Sequence, residues 1–304
     1  MSDHQEKTEG ADDDAAGTEG AAIPGDGDGN GDDNGDGDSN GNGDDNGDGN
    51  GDDNGDDNDS DNGDGDGAGD RESAPPVVPP KAAIPLALGV TLVVGLVVRF
   101  AFDAEQAGSW EMLLALFGVN VVLVAVAVFV LAKEGVLASE LRPRRGDLTF
   151  GFLAALLMYG AAMAGRQIFL GAGTPRSWWV ARIYMQLGDL SNNRMLYVGL
   201  AVLVIAGMEE LVWRGLVMRT LRSSMGPLRA WLLSSVLYGA AHVATVTLLA
   251  NPVAGPNPLL VAAALGGSLV WGHLYNRTGR LGPGLFAHAL FSWAIVDFPL
   301  WRPL

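Results

Sequence analysis

The chain has 304 residues, with 36 acidic against 19 basic side chains for a formal charge of −17, and no cysteine. The absence of thiols excludes disulfides, a thiolate metal site and a cysteine nucleophile. The charge is split along the chain: residues 1–80 hold 26 of the acids and only Lys7 and Arg71, whereas 81–304 hold 10 acids against 17 bases.

The first segment, 1–80, is a low-complexity run of Asp, Gly and Asn, as in Asp52-Asp53-Asn54-Gly55-Asp56-Asp57-Asn58. It has too little apolar surface to offset the entropy of ordering a chain, and the expectation is a disordered acidic tail. Alternating Asp-Gly-Asp suggests a calcium loop, but such loops close on a bidentate Glu and none closes a register here. The first 30 residues have no positive region and no apolar core, so no cleavable signal peptide is expected. Of the 19 basic residues 16 are Arg, a bias that together with the acidic tail resembles haloarchaeal composition. Pro75, Pro76, Pro79 and Pro80 form a stiffer joint before the apolar part.

From Ala82 onward, apolar runs of spanning length recur, at about 82–101, 111–132, 148–169, 195–218, 229–250, 257–275 and 283–300. The fold class expected is an all-α, polytopic transmembrane helical bundle of about seven spans. The stretch 174–189, with Trp178, Trp179, Arg182 and Tyr184, is too polar to span and reads as an interfacial helix; counted as a span, it would make eight. Arg-rich connections at 133–147, 219–228 and 276–282 alternate with connections poor in Arg and Lys. The positive-inside rule then predicts that these loops and the N-terminal tail are cytoplasmic. Trp110, Trp178, Trp231 and Trp301 fall near span ends, as interface anchors should. The domain organisation expected is a tail over 1–80, two N-terminal spans over 81–147 and a core over 148–304.

Ionisable residues inside such spans are costly, so each needs a reason. Arg99, Arg166 and Asp297 lie near outer span ends, where they reach the headgroups, and His273 lies at the inner end of the sixth span. Glu209, Glu210 and Arg214 in the fourth span, His242 in the fifth and His288 in the seventh lie deeper. Glu210 and Arg214, at i and i+4, can pair on one helix face. Glu209 is turned by about 100° from Glu210 and has no partner on its own helix. A carboxylate with two imidazoles in a polar cavity suits water activation by general base and acid. Two His and one carboxylate are equally a catalytic zinc set with an open fourth position. No H-E-x-x-H is present, which excludes a zincin built on one helix. A buried Glu–Arg pair that merely ties helices, and a proton relay of a transporter, are the competing readings of the same residues. No inverted repeat supports the transporter.

At these positions the chain resembles the CPBP family of intramembrane proteases, which includes CAAX prenyl proteases and bacteriocin-processing or bacteriocin-immunity proteins. The first motif stands as Glu209-Glu210-Leu211-Val212-Trp213-Arg214, followed by Gly215-Leu216. The second stands as Tyr238-Gly239-Ala240-Ala241-His242. The third region stands as Gly272-His273-Leu274-Tyr275 with Thr278-Gly279, then Pro283 and His288-Ala289-Leu290-Phe291-Ser292. The resemblance covers about residues 148–300. It implies an endopeptidase in which Glu209 activates water with His242, Glu210 and Arg214 organise the site, and His288 stabilises the oxyanion or binds metal. If zinc is bound, the resemblance makes Glu209, His242 and His288 its ligands; a metal-independent mechanism is equally compatible with Glu and two His. Ser292 stands where the family usually has Asn or Asp, and a hydroxyl supplies one donor where an amide supplies two. The partners expected are a peptide or lipid-modified protein substrate with a membrane-associated or C-terminal, CAAX-like segment, and membrane lipids, but not nucleic acid. The alternative is a catalytically silent scaffold or immunity-type protein that binds a partner through the same residues.

Overall fold

The computed structural model of the protein describes residues 77–171, 173–188 and 193–300. The acidic tail expected over 1–80 lies almost wholly outside the described residues. Among those described, the chain is helical apart from one isolated bridge between Asn251 and Gly255. The elements in order are α1 Ala83–Ala101, α2 Trp110–Lys133, α3 Leu137–Leu141, α4 Asp147–Phe169, α5 Ser177–Leu187 and α6 Asn193–Glu210. A π-helical segment, Leu211–Met218, continues α6 into α7, Arg219–Met225. Then follow α8 Pro227–Ala241, α9 Thr245–Leu248, α10 Leu259–Thr278 and α11 Gly282–Asp297.

The first helix shows how sequence becomes packing. Ala83, Ala87, Val90, Val94 and Val98 recur every three or four residues and are buried, as one face of a helix must be. Leu88, Leu92 and Leu96 on the other side are exposed. In water such a face would be a liability; in a bilayer it is the surface that meets lipid. Six helices are long and apolar enough to cross a membrane: Pro80–Ala101, Trp110–Lys133, Asp147–Phe169, Arg194–Met225, Pro227–Leu248 and Leu259–Thr278. The protein is a polytopic helical bundle.

Two expected spans look different in the structure. The last, expected over 283–300, is the 16-residue α11, which at 1.5 Å per residue rises only about 24 Å against the roughly 30 Å of a bilayer core. It can be short because it is enclosed: α11 packs against α4, α6 and α10, and none of its residues is exposed. Gly151 on α4 allows that approach, since a Cβ there would lie 2.5 Å from the Phe286 Cβ. The fifth, expected over 229–250, is broken: α8 ends at Ala241, His242 follows as its C-cap, and a turn leads to the short α9. Irregular backbone at membrane depth is tolerated where it lines a cavity or is buried in protein.

The expected interfacial helix is α5, which buries Val180, Ala181, Tyr184 and Gln186 and leaves Trp178 exposed. The Gln186 amide donates to the carbonyls of Ala101 and Asp103 at 2.9 and 3.0 Å, pinning α5 to the end of α1. At the Arg-rich end, Arg219 bridges Glu134 at 2.8 Å and Glu140 at 3.0 Å, and Tyr275 donates to Glu140 at 3.1 Å. Burial pushes the Glu140 carboxyl above its ordinary range, against the pull of Arg219 and the Tyr275 hydrogen bond. Arg280 holds Asp147 at 2.5 Å, tying the start of α4 to the loop before α11.

Candidate active site

The site begins where α6 becomes a π-helix. From Glu210 onward the turns widen, and the N–H of Arg219 bonds to the carbonyl of Arg214, five residues back. Single π turns inside α-helices recur at functional positions because they re-aim side chains. Val212 through Met218 are all buried, so this distortion sits at the heart of the bundle.

Glu210 and Arg214 form the sealed half. The Glu210 side chain is 0% and that of Arg214 1% exposed, and Arg214 Nη1 donates to Glu210 Oε1 at 2.9 Å. Arg214 Nη2 also donates to the Ser268 carbonyl at 3.0 Å and hydroxyl at 2.8 Å, reaching α10. Its guanidinium lies over the rings of Trp271 and Tyr238, at 5.4 and 5.7 Å from their centroids. Glu210 Oε1 further accepts from His288 Nδ1 at 2.8 Å. Oε2 of Glu210 is buried without a partner among the described residues, and a Cβ on Gly284 would come 3.0 Å from it. A side chain at position 284 would press on this carboxylate, and glycine avoids that contact.

His288 joins this half to the other. Its ring stacks on Trp271, with centroids 3.5 Å apart and an interplanar angle of 18°. With Nδ1 donating to Glu210, the remaining nitrogen, Nε2, faces Glu209 Oε2 at 3.7 Å. The same Glu209 oxygen accepts from the Tyr238 hydroxyl at 2.5 Å. Glu209 keeps 14% of its side chain accessible, in contrast to its neighbour. His242, at the end of α8, has Nδ1 2.8 Å from the Tyr238 carbonyl. A carbonyl can only accept, so Nδ1 carries the proton and Nε2 is left for the cavity.

That cavity has a volume of about 700 Å³ and is lined by Glu209, Tyr238, His242, His288 and Ser292 among mostly apolar side chains. The five deep residues singled out from the sequence therefore form one constellation, four of them linked by hydrogen bonds or ion pairs. Ser292, one turn beyond His288 on α11, opens on the same space. His273 is exposed beside Trp231 and lies away from it. Arg166 lines the cavity with its neighbours Gly165 and Phe169 at the far end of α4.

Trp271, Ser268 and Asn120 carry no charge and lie outside the quoted motifs, so sequence reasoning passed over them. Their one signal is polarity or bulk within an apolar span. Among the described residues, no three His, Asp or Glu side chains are placed to hold a metal ion. Glu209, His242 and His288 each have one polar atom engaged elsewhere.

Residues 191–294 match the Rce1-like family model, described as type II CAAX prenyl endopeptidase Rce1-like. No curated protein and no solved structure matches the chain. The matched segment runs from α6 to α11 and contains Glu209, Glu210, Arg214, His242, His288 and Ser292. The chain thus carries, over residues 191–294, a domain of the Rce1-like CAAX endopeptidase family, consistent with its resemblance to the CPBP proteases.

Proposed function

We propose that the chain is an intramembrane endopeptidase that cleaves membrane-associated or C-terminal, CAAX-like segments with a water molecule activated by Glu209 and His242. The observation that carries this reading is the contrast between adjacent carboxylates. Glu210 is sealed and paired, while Glu209 opens on an apolar cavity beside two imidazoles.

In this reading a water in the cavity gives a proton to Glu209 as its oxygen attacks the scissile carbonyl carbon. His242, oriented by the Tyr238 carbonyl, accepts from that water through Nε2 and aims its lone pair. His288, held at Nδ1 by Glu210, turns Nε2 toward the side of the developing oxyanion. Collapse of the tetrahedral intermediate breaks the C–N bond, and the Glu209 proton passes to the leaving amine. Glu210 and Arg214 touch no reacting atom and hold His288 in place. The apolar walls accept the hydrophobic residues of a membrane-embedded tail. The positive-inside rule makes the Arg-rich end of the bundle cytoplasmic, which is the side from which substrate would enter.

The test is cleavage by membranes containing the Glu209→Gln protein. Loss of product with an unchanged unfolding midpoint is expected, and undiminished cleavage overturns the reading. Ser292, in place of the family's Asn or Asp, favours a second reading, a silent partner-binding scaffold. Under it, a protein altered at both Glu209 and His242 still complements a deletion.

A further inference from the structure

The second helix contributes a polar group that the chemistry above does not use. Between Glu111 and Lys133, α2 is apolar except for Asn120, and it has the highest mean hydropathy of the six spanning helices, 2.9. Asn120 is 3% exposed, yet it lines the same cavity as Glu209. Its Nδ2 donates to the Leu116 carbonyl on its own helix at 2.9 Å. Among the described residues this is its one hydrogen bond, so Oδ1 accepts nothing and the second N–H donates to nothing. An amide kept in a spanning helix to tie the bundle together would bond across to a neighbour. Asn120 does not, and its unused donor and acceptor are available to whatever enters the cavity that it lines.

Packing fixes its level. Met112 and Leu113 cluster with Val198, and Ala127 and Val130 cluster with Leu216. α2 therefore runs alongside α6 and the π segment, and Asn120 falls level with the stretch 205–209. Ile205, Ala206 and Glu209 of that stretch line the cavity too. A free acceptor and a free donor on one planar group match the N–H and C=O of an extended peptide backbone. An acyl or isoprenoid chain has nothing to offer either.

We propose that Asn120 is a substrate-positioning residue, its Oδ1 accepting a backbone N–H of a peptide whose scissile bond lies at Glu209. This rests on the endopeptidase reading and adds to it a subsite outside the matched segment, built by α2. The probe is a quenched fluorescent peptide with an apolar carboxy-terminal segment, together with a set in which each amide near the cleaved bond is replaced in turn by an ester. An ester keeps the carbonyl and lacks the N–H. With the full chain in lipid nanodiscs, one ester position is expected to lower kcat/KM about tenfold, the ordinary effect of one lost hydrogen bond. In Asn120→Leu that penalty disappears while cleavage still depends on Glu209. An ester profile unchanged between wild type and Asn120→Leu overturns the assignment of Asn120 alone. Absence of any Glu209-dependent cleavage by the wild type overturns the endopeptidase reading and the proposal with it. Asn120→Ala serves the same comparison if the leucine variant does not fold.

Discussion

Glu209 and Glu210 are neighbours in sequence, yet they belong to different regions. One is in the sealed half, where Arg214, Ser268 and His288 surround a carboxylate with no access to solvent. The other is in the open half, where Glu209, Tyr238 and His242 border a cavity. A buried ion pair of the first kind holds geometry, and charge exposed to a cavity does chemistry. The same substitution at both positions tests this division most severely. Glu209→Gln should lower the cleavage rate by roughly 10²- to 10⁴-fold, the ordinary contribution of a general base, with the unfolding midpoint unchanged. Glu210→Gln leaves the Arg214 cation buried without its counter-charge and should destabilise by roughly 3–5 kcal/mol. Thermal unfolding in detergent alongside a cleavage assay measures both. Equal midpoints for the two variants would erase the distinction between the halves.

A smaller effect sharpens the open half. Tyr238→Phe keeps the ring that packs against Trp213 at 5.1 Å and His242 at 4.9 Å, and removes only the hydroxyl on Glu209. Loss of one hydrogen bond to a charged group should lower kcat/KM by about tenfold, with little change in midpoint. A midpoint collapse instead would place Tyr238 with the sealed half.

Much of this was legible in the sequence, for physical reasons. The face of α1 follows from the spacing of Ala83, Ala87, Val90, Val94 and Val98, and the Glu210–Arg214 pair follows from a four-residue step. Other features were not legible. The length of α11 depends on enclosure by three other helices, and a hydropathy window sees composition but not neighbours. The π segment and the break at His242 arise because packing outweighs the regular helical ladder locally, and neither leaves a proline at its centre to announce it. Asn120 was invisible because one amide in an apolar helix is ordinary until its hydrogen bonds are counted.

The smallest effect expected is none at all, on chelation. A catalytic zinc site brings three ligand atoms to about 2.0–2.2 Å from one point. Here Glu209 Oε2 lies 3.7 Å from His288 Nε2, and the Nδ1 contacts of His242 and His288 leave both Nε2 atoms free. Among the described residues no set of three converges on such a point. Cleavage should therefore survive dialysis against a strong chelator, at a rate unchanged within the error of the assay. Loss of activity restored by zinc and by no other ion would reassign Glu209 from base to ligand. The open half would then act by polarising the carbonyl rather than by taking a proton from water.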